Sequence, residues 1–200
     1  IELLPYVAAT STLYGDAAGS NPFRQGANPG GRVGADMKIG LGPNLTLDAA
    51  INPDFGQVEA DPAEVNLTAF ETRFTERRPF FLEGSGIFRL DMDCQDDSCS
   101  GLFYSRRIGR TPQGAAEVPD DGYSEAPHQT TILGAAKLSG KTKGWSLAAV
   151  EAVTGSEHSE WTNAQQVRQQ VEVEPLTNYF AGRGRREMRN GQSTLGVLLT

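Results

Sequence analysis

Arg32-Val-Gly-Ala-Asp-Met-Lys-Ile-Gly-Leu-Gly-Pro-Asn-Leu-Thr-Leu-Asp-Ala-Ala-Ile-Asn52 decides the fold. Val33, Ala35, Met37, Ile39 and Leu41 alternate with Arg32, Gly34, Asp36, Lys38 and Gly40. Gly42-Pro43-Asn44 breaks the run, and Leu45, Leu47, Ala49 and Ile51 then alternate with Thr46, Asp48, Ala50 and Asn52. Successive side chains of a strand point to opposite faces, so this is a hairpin with one apolar and one polar face. Each arm approaches the ~9–11 residues that a tilted strand needs to cross a bilayer. An apolar outside, a polar inside and a tight turn describe a hairpin of a transmembrane β-barrel. A soluble sandwich or a half-exposed sheet gives the same alternation, so the rest of the chain has to decide.

Further segments follow the pattern. Residues 1–14 are apolar and β-rich, with Tyr6 and Tyr14 placed as interface aromatics. Thr130 to Ser139 and Trp145 to Val153 flank Gly140-Lys-Thr-Lys-Gly144, a second hairpin. Asn178 to Met188 puts Phe180, Gly182 and Gly184 on one face and Arg183, Arg185 and Glu187 on the other. Asn190-Gly191 is a hairpin-turn dipeptide, and Leu195, Val197 and Leu199 alternate after it. The pattern predicts seven or eight strands of roughly ten residues. Arginine on a lipid face costs roughly 2–4 kcal/mol at the bilayer midplane. Arg32, Lys38, Arg183 and Arg185 all occupy the polar phase of their strands, as a lumen requires. The expected fold is therefore all-β and mainly antiparallel, a segment of a transmembrane β-barrel with a structured insert. Residues 1–200 form one domain in this reading. The chain ends inside the alternating run Ser193 to Thr200, so the domain is expected to be the N-terminal part of a larger barrel.

Bulk properties narrow the function. The net charge is −7 and the isoelectric point about 4.9, against the basic surface that phosphate backbones require, so nucleic acid is not an expected partner. No run approaches the ~20 apolar residues of a membrane helix. A mean hydropathy of −0.40 suits a water-soluble protein and equally a barrel with a polar lumen.

Residues 53–128 break the strand pattern and form the predicted insert, a plug-like region. Asp61-Pro62-Ala63-Glu64 has the signature of a helix start, and Val65, Ala69, Phe70 and Phe74 recur at helical spacing. A short helix is expected over 62–76, ended by Pro79. Short turns on one side of the membrane require an even number of crossings between residues 52 and 129. Two extra strands, near 80–90 and 101–110, satisfy this, and so does an insert that stays wholly inside. Cys94 and Cys99 lie in a polar loop, a spacing that suits a disulfide in an oxidising compartment. Asp91, Asp93, Asp96 and Asp97 offer calcium a set of oxygens as the alternative, without the spacing of an EF-hand. No metal and no cofactor is assigned.

Four stretches carry a resemblance: residues 44–62, Asn66-Leu-Thr-Ala-Phe-Glu71, Glu76-Arg-Arg-Pro-Phe-Phe-Leu-Glu-Gly84 and Leu102-Phe-Tyr-Ser-Arg-Arg-Ile-Gly-Arg110. A fifth is Glu174-Pro-Leu-Thr-Asn-Tyr-Phe-Ala-Gly182. Together they resemble a bacterial family of unknown function in which an outer-membrane β-barrel follows a domain similar to family-9 carbohydrate-binding modules. The resemblance implies the outer membrane of a Gram-negative bacterium, lipid as a partner and a barrel larger than this segment. It implies no known reaction. The sugar-binding-like domain lies upstream, so carbohydrate enters only as a possible partner of the whole protein.

The matched motifs are rich in carboxylates and arginines. Asp54, Glu59, Asp61, Arg77, Arg78, Arg106 and Arg107 are read as a network that fixes the insert against a polar lumen wall, because arginine forks match carboxylates. Glu71 and Glu83 are the carboxylates that a glycan hydrolase would use as acid and base. No Gly-x-Ser-x-Gly elbow, His-Glu-x-x-His or phosphate-binding glycine loop is present. Phe80, Phe81, Phe88, Phe103 and Tyr104 suit a small core that anchors the insert. The expected function is porin- or receptor-like uptake or binding, linked to carbohydrate. A glycan hydrolase and a membrane scaffold for the upstream domain are the alternatives.

Overall fold

The computed structural model describes residues 1–15, 21–24, 26–53, 73–88, 92–95, 98–100, 102–163, 165, 167–189 and 192–200, with the backbone alone at 92–95 and 98–100. The chain opens with β1 (Glu2–Leu13), β2 (Ala27–Gly40) and β3 (Leu45–Ile51). The helical turns α1 (Pro79–Leu82) and α2 (Ser85–Phe88) follow, then β4 (Met92–Gln95), β5 (Ser98–Ser100), a 3-10 turn at Ser105–Arg107 and β6 (Tyr123–Glu125). The second half holds β7 (Ile132–Thr142), β8 (Trp145–Thr154), β9 (Glu157–Thr162), β10 (Arg168–Glu174), β11 (Thr177–Met188) and β12 (Ser193–Leu199).

The main sheet has seven strands in the order β1-β2-β3-β7-β8-β11-β12, and every pairing is antiparallel. The protein is thus all-β and mainly antiparallel among the described residues, with α1, α2 and the 3-10 turn as its helical pieces. Among the described residues no ladder joins β1 to β12, so the sheet stands open at those two edges. β9 pairs with β10 and β6 in a second sheet. Turn chemistry sets the registers. Lys143 and Gly144 both take positive φ, 47° and 80°, as a type I′ hairpin turn requires. Thr142 is thereby paired with Trp145.

The antiparallel order puts the three short connections, after β2, β7 and β11, at one end of the sheet. The long connections, residues 14–26, 52–131 and 155–176, leave from the other end. β3 pairs directly with β7 across 80 intervening residues, and among the described ones none adds a strand to this sheet. Neither of the two extra crossings expected near 80–90 and 101–110 forms among the described residues, 80–88 and 102–110. Phe80, Phe81 and Leu82 are consecutive apolar residues without alternation, and they coil into α1 instead. Pro79 ends no helix; it opens one, at the position where its missing N–H costs nothing. The helix expected over 62–76 falls largely on residues outside the described set, and 73–78 are not helical.

Register divides the sheet into two faces. Leu3, Val7, Val33, Ile39, Leu47, Leu138, Leu147, Phe180, Val197 and Leu199 share one of them. It is uncovered: Val7 is 78% exposed, Val33 67% and Leu199 63%. The other face carries Lys38, Asp48, Lys137, Ser139, Arg183 and Arg185 among small residues. Its alanines, Ala135, Ala148, Ala152 and Ala181, leave room for Phe81, Phe88 and Ile108 of the insert, and with Ile132 and Val150 these form the core. A bulge between Ile132 and Gly134 brings Ile132 onto this inner face. Tyr6 also belongs to the inner face, opposite Gly34, and its hydroxyl donates to the Asn52 carbonyl at 3.0 Å. It is therefore a glycine cover and not an interface aromatic. The outer face bears two charged residues among those described. Arg186 lies over Trp145 near the short turns, and Glu151 accepts a hydrogen bond from Asn178 Nδ2 at 3.1 Å.

Candidate functional site

The insert is built around one arginine fork. Arg78 Nε donates to Glu76 Oε1 at 2.8 Å and Nη2 to Glu76 Oε2 at 2.7 Å. Its remaining donors reach the carbonyls of Ile108, at 2.6 Å, and Ser105, at 2.8 Å. Ser105 Oγ donates to Glu76 Oε2 at 2.6 Å, and the backbone N–H groups of Arg77 and Arg78 donate to Oε1. The guanidinium also stacks over Phe81, 4.3 Å from the ring centroid. Arg78 is 8% exposed, so this is a buried charge with every side of it satisfied. Two flanking contacts lace the same segments together. The Phe74 N–H donates to Tyr104 Oη at 2.7 Å, and Arg106 Nη1 donates to the Thr75 carbonyl at 2.9 Å.

Burial opposes charge on Glu76, yet the Arg78 fork and the Ser105 hydroxyl outweigh it and hold the carboxyl at about 2, below its ordinary 4.5. A depressed carboxyl contributes stability above its unfolded value and loses it as pH falls through the folded one. The clamp is therefore expected to hold at neutral pH and to weaken between about pH 4.5 and pH 2. Limited proteolysis of segment 73–110 across that range measures this. Glu76→Gln should abolish that stretch of the pH dependence, and an unchanged profile in the variant would assign the acid sensitivity elsewhere.

A second cluster seats the insert on the sheet. Lys137, 2% exposed, rises from β7 and donates to the carbonyls of Phe80 and, at 2.8 Å, Glu83. Those carbonyls close the end of α1, where a cation suits the unpaired C=O groups. Lys137 Nζ also stands 3.4 Å from Asp48 Oδ2 of β3, and this oxygen is paired by charge alone. Lys38 of β2 bonds Glu83 and lies 3.9 Å from Asp48. The Lys38 hydrogen bond holds the Glu83 carboxyl below its usual range, against the mild effect of burial. Gly84 permits the approach: its φ is +71°, and a Cβ there would press on Ser139 at 3.2 Å. Beside the cluster lies a cavity of about 350 Å³ lined by residues including Glu2, Asp36, Phe80 and Glu83.

The sequence-predicted network divides accordingly. Arg78 and Arg106 join the clamp, and Arg77 contributes its backbone N–H. Arg107 instead lines a separate cavity with Arg110. Asp54, Glu59, Asp61 and Glu71 lie outside the described residues. Glu83 is brought to Lys38, not to a second carboxylate in any hydrogen bond or ion pair found among the described residues. Asp91, Asp96 and Asp97 lie outside the described set, as does the side chain of Asp93. Cys94 and Cys99 are direct partners in the β4–β5 ladder, a spacing that suits a disulfide, and their side chains too lie outside the described set. Among the described residues no three His, Cys, Asp or Glu side chains gather as a metal site. Sequence reasoning did not single out Asp48 and Lys137, although both sit on the polar phase of their strands.

Fold and site together define a class: an antiparallel meander whose polar face is filled by a charge-clamped insert and whose apolar face is bare. The chain belongs to the family described as Domain of unknown function (DUF5916), which matches it over residues 1–181. No curated protein and no solved structure matches it.

Proposed function

We propose that this chain is the N-terminal part of an outer-membrane β-barrel with the 53–128 insert as a plug-like region in its lumen, and with a porin- or receptor-like role in uptake or binding. The observation that carries this reading is the division of the sheet. Its uncovered face is apolar from β1 to β12 except for Arg186 and Glu151, and the other face holds the remaining charged residues of the described strands. Water does not favour a contiguous apolar face of seven strands, whereas lipid does. All short turns at one end and all long connections at the other is the arrangement of outer-membrane barrels. Closure by further strands would pair the open edges of β1 and β12. Lumen charges such as Lys38, Arg183 and Arg185 would then set which solutes pass or bind, with carbohydrate-derived material the favoured class.

The hydrolase alternative draws no support from Glu83. A general acid needs a raised carboxyl pKa, and Lys38 lowers this one. The full-length protein is expected to need detergent for extraction and to give discrete ion conductance in planar bilayers. Purification as a detergent-free soluble protein would remove the barrel. Membrane-extracted protein that leaves the bilayer silent would remove the pore and favour the scaffold.

A further inference from the structure

The short turns close one end of the sheet, and that end is basic in a chain whose net charge is −7. Residues 140–145 and 185–193 hold Lys141, Lys143, Arg185, Arg186 and Arg189 against a single carboxylate, Glu187. The turn at 41–44 is uncharged. Glu187 is taken by Arg185, whose Nη2 donates to Oε1 at 2.7 Å. Among the described residues no carboxylate pairs with Lys141, Lys143, Arg186 or Arg189, and all four are exposed.

Strand pairing brings these cations to one place. Trp145 and Arg186 are direct partners in the β8–β11 ladder, on the apolar face, and the guanidinium carbon lies 5.5 Å from the Trp145 ring centroid. The Glu187 N–H donates to the Gly144 carbonyl at 3.3 Å, which continues that ladder into the Lys143–Gly144 turn. Arg189 stands in the neighbouring turn, where β11 ends. Lys143 and Arg189 take positive φ, 47° and 52°, where glycine or asparagine is the usual choice. Both side chains are exposed, so packing does not require a cation at either position. A tryptophan beside an arginine at the rim of an apolar face suits a membrane–water boundary, where each keeps its polar end wet and its body in hydrocarbon.

We propose that this end of the sheet docks on the headgroups of anionic phospholipids, with Arg186, Lys143 and Arg189 on the phosphates and Trp145 at the edge of the hydrocarbon. The inference rests on the barrel reading and adds a lipid class to it. Charge complementarity selects an anionic headgroup over a zwitterionic one. Four cations gain from each negative headgroup, and the one carboxylate nearby is already answered by Arg185. The ammonium of a zwitterionic headgroup would compete with them for its own phosphate. Guanidinium forks add a geometric match to phosphate oxygens.

The test is electron spin resonance of the full-length protein in phosphatidylcholine vesicles that carry a trace of spin-labelled phosphatidylglycerol or spin-labelled phosphatidylcholine. Lipid held in the shell around the protein gives an immobilised signal. Phosphatidylglycerol should be enriched in that shell about fivefold over phosphatidylcholine, as one lysine or arginine at a headgroup surface supplies. Added salt should shrink the enrichment. Lys143→Asn combined with Arg189→Gly removes both turn cations and suits positive φ, so the fold survives and the enrichment should fall about twofold or more. Arg24→Gln, in the 14–26 connection at the opposite end, should leave it unchanged. Inserted protein with equal shells of the two lipids, or with undiminished enrichment in the double variant, would overturn the proposal and leave the barrel standing. Protein that does not enter the vesicles would remove the barrel, and this surface with it.

Discussion

Arg78→Ala is expected to release the insert from the sheet while the seven strands remain paired. The substitution leaves the Glu76 carboxylate buried opposite no cation and orphans the Ser105 and Ile108 carbonyls. Removing one partner of a buried pair costs about 3–5 kcal/mol, since the other charge stays behind uncompensated. The loss of the stack on Phe81 adds to that, because Phe81, with Phe88 and Ile108, belongs to the core that the insert forms with Ala135, Ala148 and Ala181. Hydrogen exchange separates the outcomes. Amides of 74–88 and 105–110 should lose protection, and those of β7, β8 and β11 should keep it. Arg78→Lys restores charge without the fork and should fall between the two. Full protection of 74–88 in Arg78→Ala would mean that the Lys137 cluster alone seats the insert.

Alternation made the main sheet legible. From Val33 to Ile39 in β2, from Leu45 to Ile51 in β3 and from Leu195 to Leu199 in β12 every second residue is apolar, and β8 keeps the pattern but for Glu151, so strand identity, face and turn could all be read from period two. The same signal fails at β9 and β10. Glu157-His-Ser-Glu-Trp-Thr162 holds one apolar residue, Trp161, and Arg168-Gln-Gln-Val-Glu-Val-Glu174 only Val171 and Val173, too few to display an apolar phase. It fails again at α1 and α2. These are single turns stabilised by where they dock, and a four-residue helix has no periodicity to display.

The candidate sites were legible in part for the same reason. Glu76, Arg78 and the 102–110 stretch were visible as a dense run of opposite charges, but which arginine meets which carboxylate is a tertiary fact. Arg77 and Arg78 are neighbours in sequence, and only Arg78 has its guanidinium on Glu76. Asp48 and Lys137 are 89 positions apart, and the β3–β7 ladder alone makes them partners. The parity argument that required an even number of crossings between 52 and 129 fits the described sheet, with zero as the number, because direct β3–β7 pairing leaves the insert free to fill the inner face.

Val197→Arg is expected to divide the lipid-facing reading from a water-facing one. Val197 lies on the outer face of β12, opposite Gly184, and is 59% exposed, so a long side chain meets no steric obstacle there. Gly184 in turn pairs with Leu147, one rung along the outer face from the Trp145–Arg186 pair, which makes this a mid-strand position among mainly apolar neighbours. On a sheet bathed in water the change should stay within about 0.5 kcal/mol. In a bilayer an arginine near the midplane costs about 2–4 kcal/mol, which at neutral pH no protonation change relieves. Urea titration of the full-length protein folded into lipid vesicles reads the difference, with Val197→Leu as the size control. A midpoint lowered in the arginine variant and kept in the leucine variant places this face in lipid. Equal midpoints for the two would mean that water, or another protein surface, covers the aliphatic face from β1 to β12, and the pore would go with the barrel.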